Sequence, residues 1–205
     1  MTSESGCVFL KRIDAQSFPK PPSLTVLAVF FIFMNLQSTD FELFGMPVQF
    51  VQDRAQIDAR WKELQREAHP DRFAAQGSAA QRVAMQWSVR INEAYQRLKD
   101  PLRRASYLCE LHGFPINAEN NTAMPADFLM RQIEWREALD DAENVDDLDK
   151  IGLQANAGKR KQLLNIEQTL DVRHDYAAAA QQVRSLMFIE RFASEVDARI
   201  DQLGQ

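Results

Sequence analysis

A helical spacing of apolar residues, repeated on both sides of a break at residues 69–71, is the feature that most constrains the fold. The first run has intervals of four, three and four residues: Ile57, Trp61, Leu64, Ala68. The second run follows a polar stretch: Ala84, Trp87, Ile91, Ala94, Leu98. Each run places one apolar stripe on a helix, which predicts amphipathic helices at about 52–68 and 79–99. Joined by one loop, they would form an antiparallel helical hairpin.

The rest of the chain continues this helical pattern. Glycine is scarce at seven residues, and no stretch alternates polar and apolar residues as a strand would. Asp40 is the predicted cap of a short first helix, and further helices are predicted at 101–112, 127–143, 146–171 and 176–203. We therefore expect an all-α protein in which a helical hairpin precedes an antiparallel three-helix bundle.

Charge and cysteine content narrow the possible functions. The net charge of −5 does not favour non-specific binding of nucleic acid. Cys7 and Cys109 lie far apart, which excludes a disulfide framework and a cysteine-based zinc site and fits a reducing cytoplasm. The three histidines lack metal-ligand spacing, so we expect neither a bound metal nor a cofactor.

Residues 1–37 are predicted to be an extension outside the globular part of the chain. Residues 24–34 form an apolar run of eleven residues, too short for a bilayer span, which takes about 20. A signal-peptide core could have that length, although no small-residue cleavage site follows. Met34 stands just before the first globular element, which favours an extension that is disordered or not normally translated. A membrane-anchored protein is the alternative.

The predicted helix at 127–143 carries two apolar stripes. On a helical wheel, Phe128, Trp135, Leu139 and Ala142 fall together, as core residues do. A second stripe and its acidic border lie elsewhere on the wheel: Leu129, Met130, Ile133, Glu134, Glu137, Asp141. One stripe is enough to hold a helix in a bundle, so the second predicts either a partner site or packing against the N-terminal domain or the linker.

Charge is divided between the two halves of the chain. Residues 53–104 hold 11 basic and 7 acidic side chains, a net of +4. Residues 119–150 hold three basic and ten acidic side chains, a net of −7. The opposite charges suggest that the two halves have separate partners.

The tripeptide His69-Pro70-Asp71 has two interpretations from the residues alone. A catalytic His–Asp pair would need a nucleophile within hydrogen-bond reach, and no serine or cysteine motif suggests one. A loop that ends a helix is the simpler interpretation, because proline disfavours helix in the residue before it. The surrounding pattern adds information, since Tyr95 and then Asp100-Pro101-Leu102-Arg103-Arg104-Ala105 follow the tripeptide as they do in J-domains.

Motifs spread over residues 40–203 resemble the bacterial form of the HscB family of J-domain co-chaperones. The resemblance is carried by Leu43-Phe44-Gly45, His69-Pro70-Asp71-Arg72-Phe73, Ile91-Asn92-Glu93-Ala94-Tyr95, Arg104-Ala105-Ser106-Tyr107-Leu108, Leu111-His112-Gly113-Phe114 and Phe128-Leu129-Met130. It implies a J-domain at 38–112, a linker at 113–126 and a scaffold-binding three-helix domain at 127–205. It also implies a co-chaperone with no catalytic residues.

Two binding sites are implied by the same resemblance. Six residues would engage the DnaK-type ATPase HscA and stimulate it: His69, Pro70, Asp71, Arg60, Lys62, Arg66. Seven residues would hold an IscU-type iron–sulfur scaffold: Leu129, Met130, Ile133, Glu134, Glu137, Asp141, Phe188. Ile133 and Asp141 replace a leucine and a glutamate usual in the family, and Phe188 also suits an ordinary core position. A general J-domain co-chaperone with a different client is the alternative.

Overall fold

The computed structural model describes residues 37–117, 124 and 126–203 of the chain. Its helices are α1 (Asp40–Phe44), α2 (Arg54–Glu67), α3 (Ser78–Lys99), α4 (Pro101–Leu111), α5 (Ala126–Asp140), α6 (Val145–Glu167) and α7 (Tyr176–Leu203). A 3₁₀ segment, Pro70–Gln76, joins α2 to α3, and a π-helical turn, Gln168–Val172, follows α6. No strand occurs among these residues, which confirms the all-α prediction.

Some predictions concern residues that the structure does not describe. The expected extension at 1–37 lies outside the described residues except for its last position, and so does half of the expected linker at 113–126. Among the residues that are described, no helix is both long and apolar enough to cross a membrane.

Helices α2 and α3 form the predicted antiparallel hairpin. Almost all of the two predicted stripes is buried. Trp61 is the exception, because it is only half-buried and its ring stacks on Tyr95 at a centroid distance of 4.7 Å. Its indole Nε1–H donates a hydrogen bond to Asn92 Oδ1 at 2.9 Å, so this residue joins the two helices through a polar contact as well.

The short helix α1 begins differently from the prediction. Asp40 as the cap is wrong: Thr39 is the N-cap, since its Oγ1 accepts the Glu42 N–H at 3.2 Å while the Glu42 carboxylate accepts the Thr39 N–H at 2.8 Å. Reciprocal bonds of this kind satisfy two amides that a helix start leaves unpaired. Asp40 instead lies fully buried against α3, where Arg90 and Arg97 both pair with its carboxylate.

Helices α5, α6 and α7 form the predicted bundle. The predicted core stripe of α5 is buried, and Trp135 stacks on Phe192 of α7 with ring centroids 5.3 Å apart. Helix α4 contacts α7 at its end, where the His112 ring stacks on Tyr176 at 3.7 Å. Helix α4, which follows the hairpin, therefore packs directly against the bundle.

Candidate functional site

The tripeptide His69-Pro70-Asp71, called the tip below, lies at the turn of the hairpin. His69 is the N-cap of the 3₁₀ segment, with its Nδ1 accepting the Asp71 N–H at 3.3 Å. Pro70 occupies the first position of that segment, where its fixed φ fits and its missing N–H costs nothing. The side chains of His69 and Asp71 are 57% and 88% exposed. The tip therefore presents its polar groups to solvent.

The tip is held from below by hydrogen bonds that cross the hairpin. Ser88 Oγ donates to the carbonyl of Ala68, the residue before the tip, at 3.1 Å. Gln65 Nε2 donates to the Ser88 carbonyl at 3.1 Å and to Asn92 Oδ1 at 2.8 Å. Sequence reasoning missed these hydrogen bonds because the residues that they join lie 20 or more positions apart. They fix the end of α2 from which the tip projects.

The basic side chains of α2 divide between two sides of the helix. Lys62 and Arg66 are exposed and lie one turn apart, so they share one side of α2. Arg66 is the nearer of the two to the tip. Arg60 points elsewhere, because two positions along a helix differ by about 200°. Its side chain is 30% exposed, and its Nη1 pairs with Glu63 at 3.1 Å. Lys62 and Arg66 are therefore better placed than Arg60 to contribute to a docking surface next to the tip.

The second apolar stripe of α5 is open to solvent. Leu129, Met130 and Ile133 are 43%, 61% and 52% exposed. They are far more exposed than the core stripe of the same helix, which is less than a tenth exposed at every position. Glu134, Glu137 and Asp141 are exposed beside them. We call these six residues the α5 face, an apolar surface bordered by carboxylates.

Phe188 of α7 is half-buried at the edge of the bundle core. Its ring meets Phe128 edge-on at 5.8 Å and stacks on Phe192 at 6.1 Å. The Arg136 guanidinium lies 5.9 Å from the same ring. Phe188 therefore fills part of the core, and a second role in partner binding stays a prediction.

A cavity of ≈ 400 Å³ lies away from the tip. It is lined by Phe50, Val51, Gln52, Pro101, Arg104, Arg160, Leu163, Leu164 and Glu167. An enzyme that used His69 and Asp71 would need a pocket around those two residues, and neither of them lines this one. Within residues 37–117 and 126–203, no group of three His, Cys, Asp or Glu side chains is placed to hold a metal ion.

A helical hairpin with an exposed His-Pro-Asp tip is the feature of J-domain co-chaperones, and this chain joins such a hairpin to a helical bundle. A family model described as "HSCB C-terminal oligomerisation domain" matches residues 124–197. A co-chaperone protein HscB homolog of Burkholderia multivorans is 51% identical over 173 residues, covering 83% of this chain and 98% of that protein. The homolog of Burkholderia cenocepacia is 50% identical over the same length. The chain belongs to the HscB co-chaperone family.

Solved structures of the family have the same fold. Chaperone HscB from Vibrio cholerae matches with a TM-score of 0.70 and 36% identity, over 81% of this chain and 99% of that one. Human co-chaperone HscB matches with a TM-score of 0.72 and 25% identity, over 82% and 83% of the two chains. The similarity covers both the hairpin and the bundle.

Proposed function

We propose that this protein binds an IscU-type iron–sulfur scaffold, delivers it to the DnaK-type chaperone HscA and stimulates the ATPase of that chaperone, which aids the maturation of iron–sulfur proteins. The proposal rests on two exposed surfaces of different chemistry on separate helices. One is the polar tip with its basic neighbours, and the other is the apolar, acid-bordered α5 face. A protein that joins two partners needs two such surfaces.

The tip supplies contacts, and the chemistry belongs to the ATPase. His69 and Asp71 are exposed, and the proline between them sets the direction of the loop. Lys62 and Arg66 add positive charge on the approach to the tip, which speeds association with an acidic partner surface. We infer that His69, Pro70 and Asp71 act as recognition groups without a catalytic role of their own.

The α5 face would hold the client while the tip engages the ATPase. Binding both partners at once raises the local concentration of client beside the chaperone. Hydrolysis of ATP would then trap the client in the high-affinity state of the chaperone. The scarcity of cysteines is the reason to place this work in a reducing cytoplasm.

Asp71→Asn tests the tip. We expect it to abolish stimulation of the HscA ATPase and to leave the affinity for the scaffold unchanged, because the tip and the α5 face share no residue. Glu93→Gln, at an exposed carboxylate on α3, is the matched control and should stimulate normally. Steady-state ATPase assays and calorimetric titration with the scaffold give the two readouts. Normal stimulation by the Asp71 variant would contradict the proposed role of the tip.

Alanine at Leu129, Met130 and Ile133 together tests the α5 face. Burying such a side chain completely contributes about 1.5–3 kcal/mol, so covering the exposed half of all three contributes roughly 2–4.5 kcal/mol. The scaffold affinity should therefore fall by at least about 30-fold. A second triple variant, with alanine at the exposed Leu153, Leu164 and Leu203, should bind normally. Equal losses in both variants would contradict a specific site.

A general J-domain co-chaperone with a different client would also lose ATPase stimulation in the Asp71→Asn variant. It would differ by having no affinity for the scaffold, so the same titration separates the two functions. An enzyme that used His69 and Asp71 would instead turn over substrate in the absence of any ATPase. The relatives of this chain carry the name co-chaperone, which favours the first two functions over the third.

A further inference from the structure

One carboxylate of the bundle binds two backbone amides of the N-terminal half. Asp171 Oδ1 accepts the N–H of Phe50 at 2.6 Å, and its Oδ2 accepts the N–H of Val51 at 2.8 Å. Asp171 belongs to the π-helical turn after α6, whereas Phe50 and Val51 lie in the loop that leads into α2. Hydrogen bonds to an ionised acceptor are about twice as strong as neutral ones. This pair therefore anchors the loop to the bundle.

Arg104 of α4 binds the same loop. This buried side chain donates from Nε to the Phe50 carbonyl at 2.7 Å, and its guanidinium lies 5.2 Å from the centre of the Phe50 ring. Its Nη1 also donates to the Leu98 carbonyl. Both backbone polar groups of Phe50 are thus satisfied, the N–H by the bundle and the carbonyl by α4. The loop has little freedom to move against either.

Asp171 lies in the π-helical turn that follows α6. The Arg173 N–H donates to the Gln168 carbonyl at 3.0 Å, a bond that spans five residues instead of four. The extra residue changes which side chains face outward beyond α6, and such turns occur frequently at functional sites. Thr169 and Leu170 are buried in this turn. Asp171 is partly exposed to solvent, and its carboxylate faces Phe50 and Val51.

We propose that Asp171 is a positioning residue, which fixes the hairpin at a defined orientation relative to the bundle. The loop that it anchors ends at Asp53, whose side chain caps α2 by accepting the Ala55 N–H at 2.8 Å. Helix α2 then leads directly to the tip. A client on the α5 face would therefore meet an ATPase on the tip in one orientation. This consequence rests on the proposed function, whereas the orientation itself does not.

Spin labels on the two halves test the orientation. We would attach them to Gln86→Cys on α3 and Gln154→Cys on α6, both exposed, in the full chain with Cys7→Ser. Cys109 is buried and should stay unlabelled. The parent should give one narrow distance distribution, and Asp171→Ala should at least double its width. Asp197→Ala, at an exposed carboxylate of α7, is the matched control and should keep it narrow.

ATPase assays separate positioning from folding. Asp171→Ala should bind chaperone and scaffold separately within twofold of the parent, because His112 still stacks on Tyr176 and holds the halves together. The extra stimulation that the scaffold adds to the co-chaperone should fall about threefold or more, since a less defined orientation lowers the effective concentration. Asp171→Asn keeps one acceptor oxygen, so its scaffold-dependent stimulation should lie between that of the parent and that of Asp171→Ala. A variant that merely folded less well would lose all three activities in parallel.

Each outcome decides for or against this role. An unchanged distance distribution in Asp171→Ala overturns the positioning role, as does a broadened distribution with unchanged scaffold-dependent stimulation. If the parent itself neither binds the scaffold nor stimulates the ATPase, the proposed function fails. The distance measurement then still shows whether Asp171 orients the hairpin, so the two failures are distinguishable.

Discussion

The buried carboxylate of Asp40 offers a sharp test of what holds the hairpin together. Its Oδ1 lies 2.6 Å from Arg90 Nη1, its Oδ2 lies 2.8 Å from Arg97 Nε, and none of the side chain is exposed. The Asp40 N–H donates to the Tyr107 hydroxyl at 2.9 Å. Asp40 thus binds the short helix α1 to both α3 and α4. Asp40→Ala should therefore weaken the whole N-terminal half.

The size of the effect follows from how exposed the two arginines are. Removing one partner of a buried ion pair costs about 3–5 kcal/mol, because the remaining charge stays desolvated. Arg97 is 38% exposed and can regain water, whereas Arg90 is only 16% exposed and cannot. The cost for Asp40→Ala should then lie near the lower end, about 3 kcal/mol. A chain of this size would melt roughly 6–12 °C lower.

Urea denaturation of Asp40→Ala, Arg90→Ala and the double variant measures this cost directly. The double variant should lose less than the sum of the single losses, since Arg90 is no longer left unpaired. Glu42→Gln, at an exposed position that keeps its capping ability, should change the free energy of unfolding by less than about 0.5 kcal/mol. A loss below about 1 kcal/mol for Asp40→Ala, or strictly additive losses, would refute the reasoning.

Two further predictions concern the cores around α4 and α6. Burial raises the pKa of the Cys109 thiol from 9.0 to about 11, although nearby Arg184 opposes this. The unfolded chain then ionises first, so the free energy of unfolding measured in urea should fall by roughly 1–2 kcal/mol between about pH 9 and 11, and less in Cys109→Ala. A Cβ at Gly158 would lie 2.9 Å from Trp135 Cη2, so Gly158→Ala should destabilise by about 1–2 kcal/mol. Gly152→Ala meets only Val196 at 3.7 Å and should stabilise by up to about 1 kcal/mol, which thermal melts can compare.

The sequence by itself determined the helices, the position of the tip and the two stripes of α5. These features depend on spacing within one helix or on one proline, and such local rules hold whatever the helix packs against. The predicted start of α5 differs by one residue from the observed start, and α7 begins and ends where it was predicted. The exposed Leu129 and Ile133 were identified because one apolar stripe already accounted for the core.

Only the tertiary structure decided which polar residues are buried and what they bind. Asp40 looked like a helix cap, yet it pairs with arginines 50 and 57 positions away. The sequence did not indicate what Asp171 and Arg104 bind, because their partners in the loop at Phe50 lie 121 and 54 positions away. The energy of a charged side chain depends on the groups that packing brings beside it, and helical periodicity contains no information about those groups.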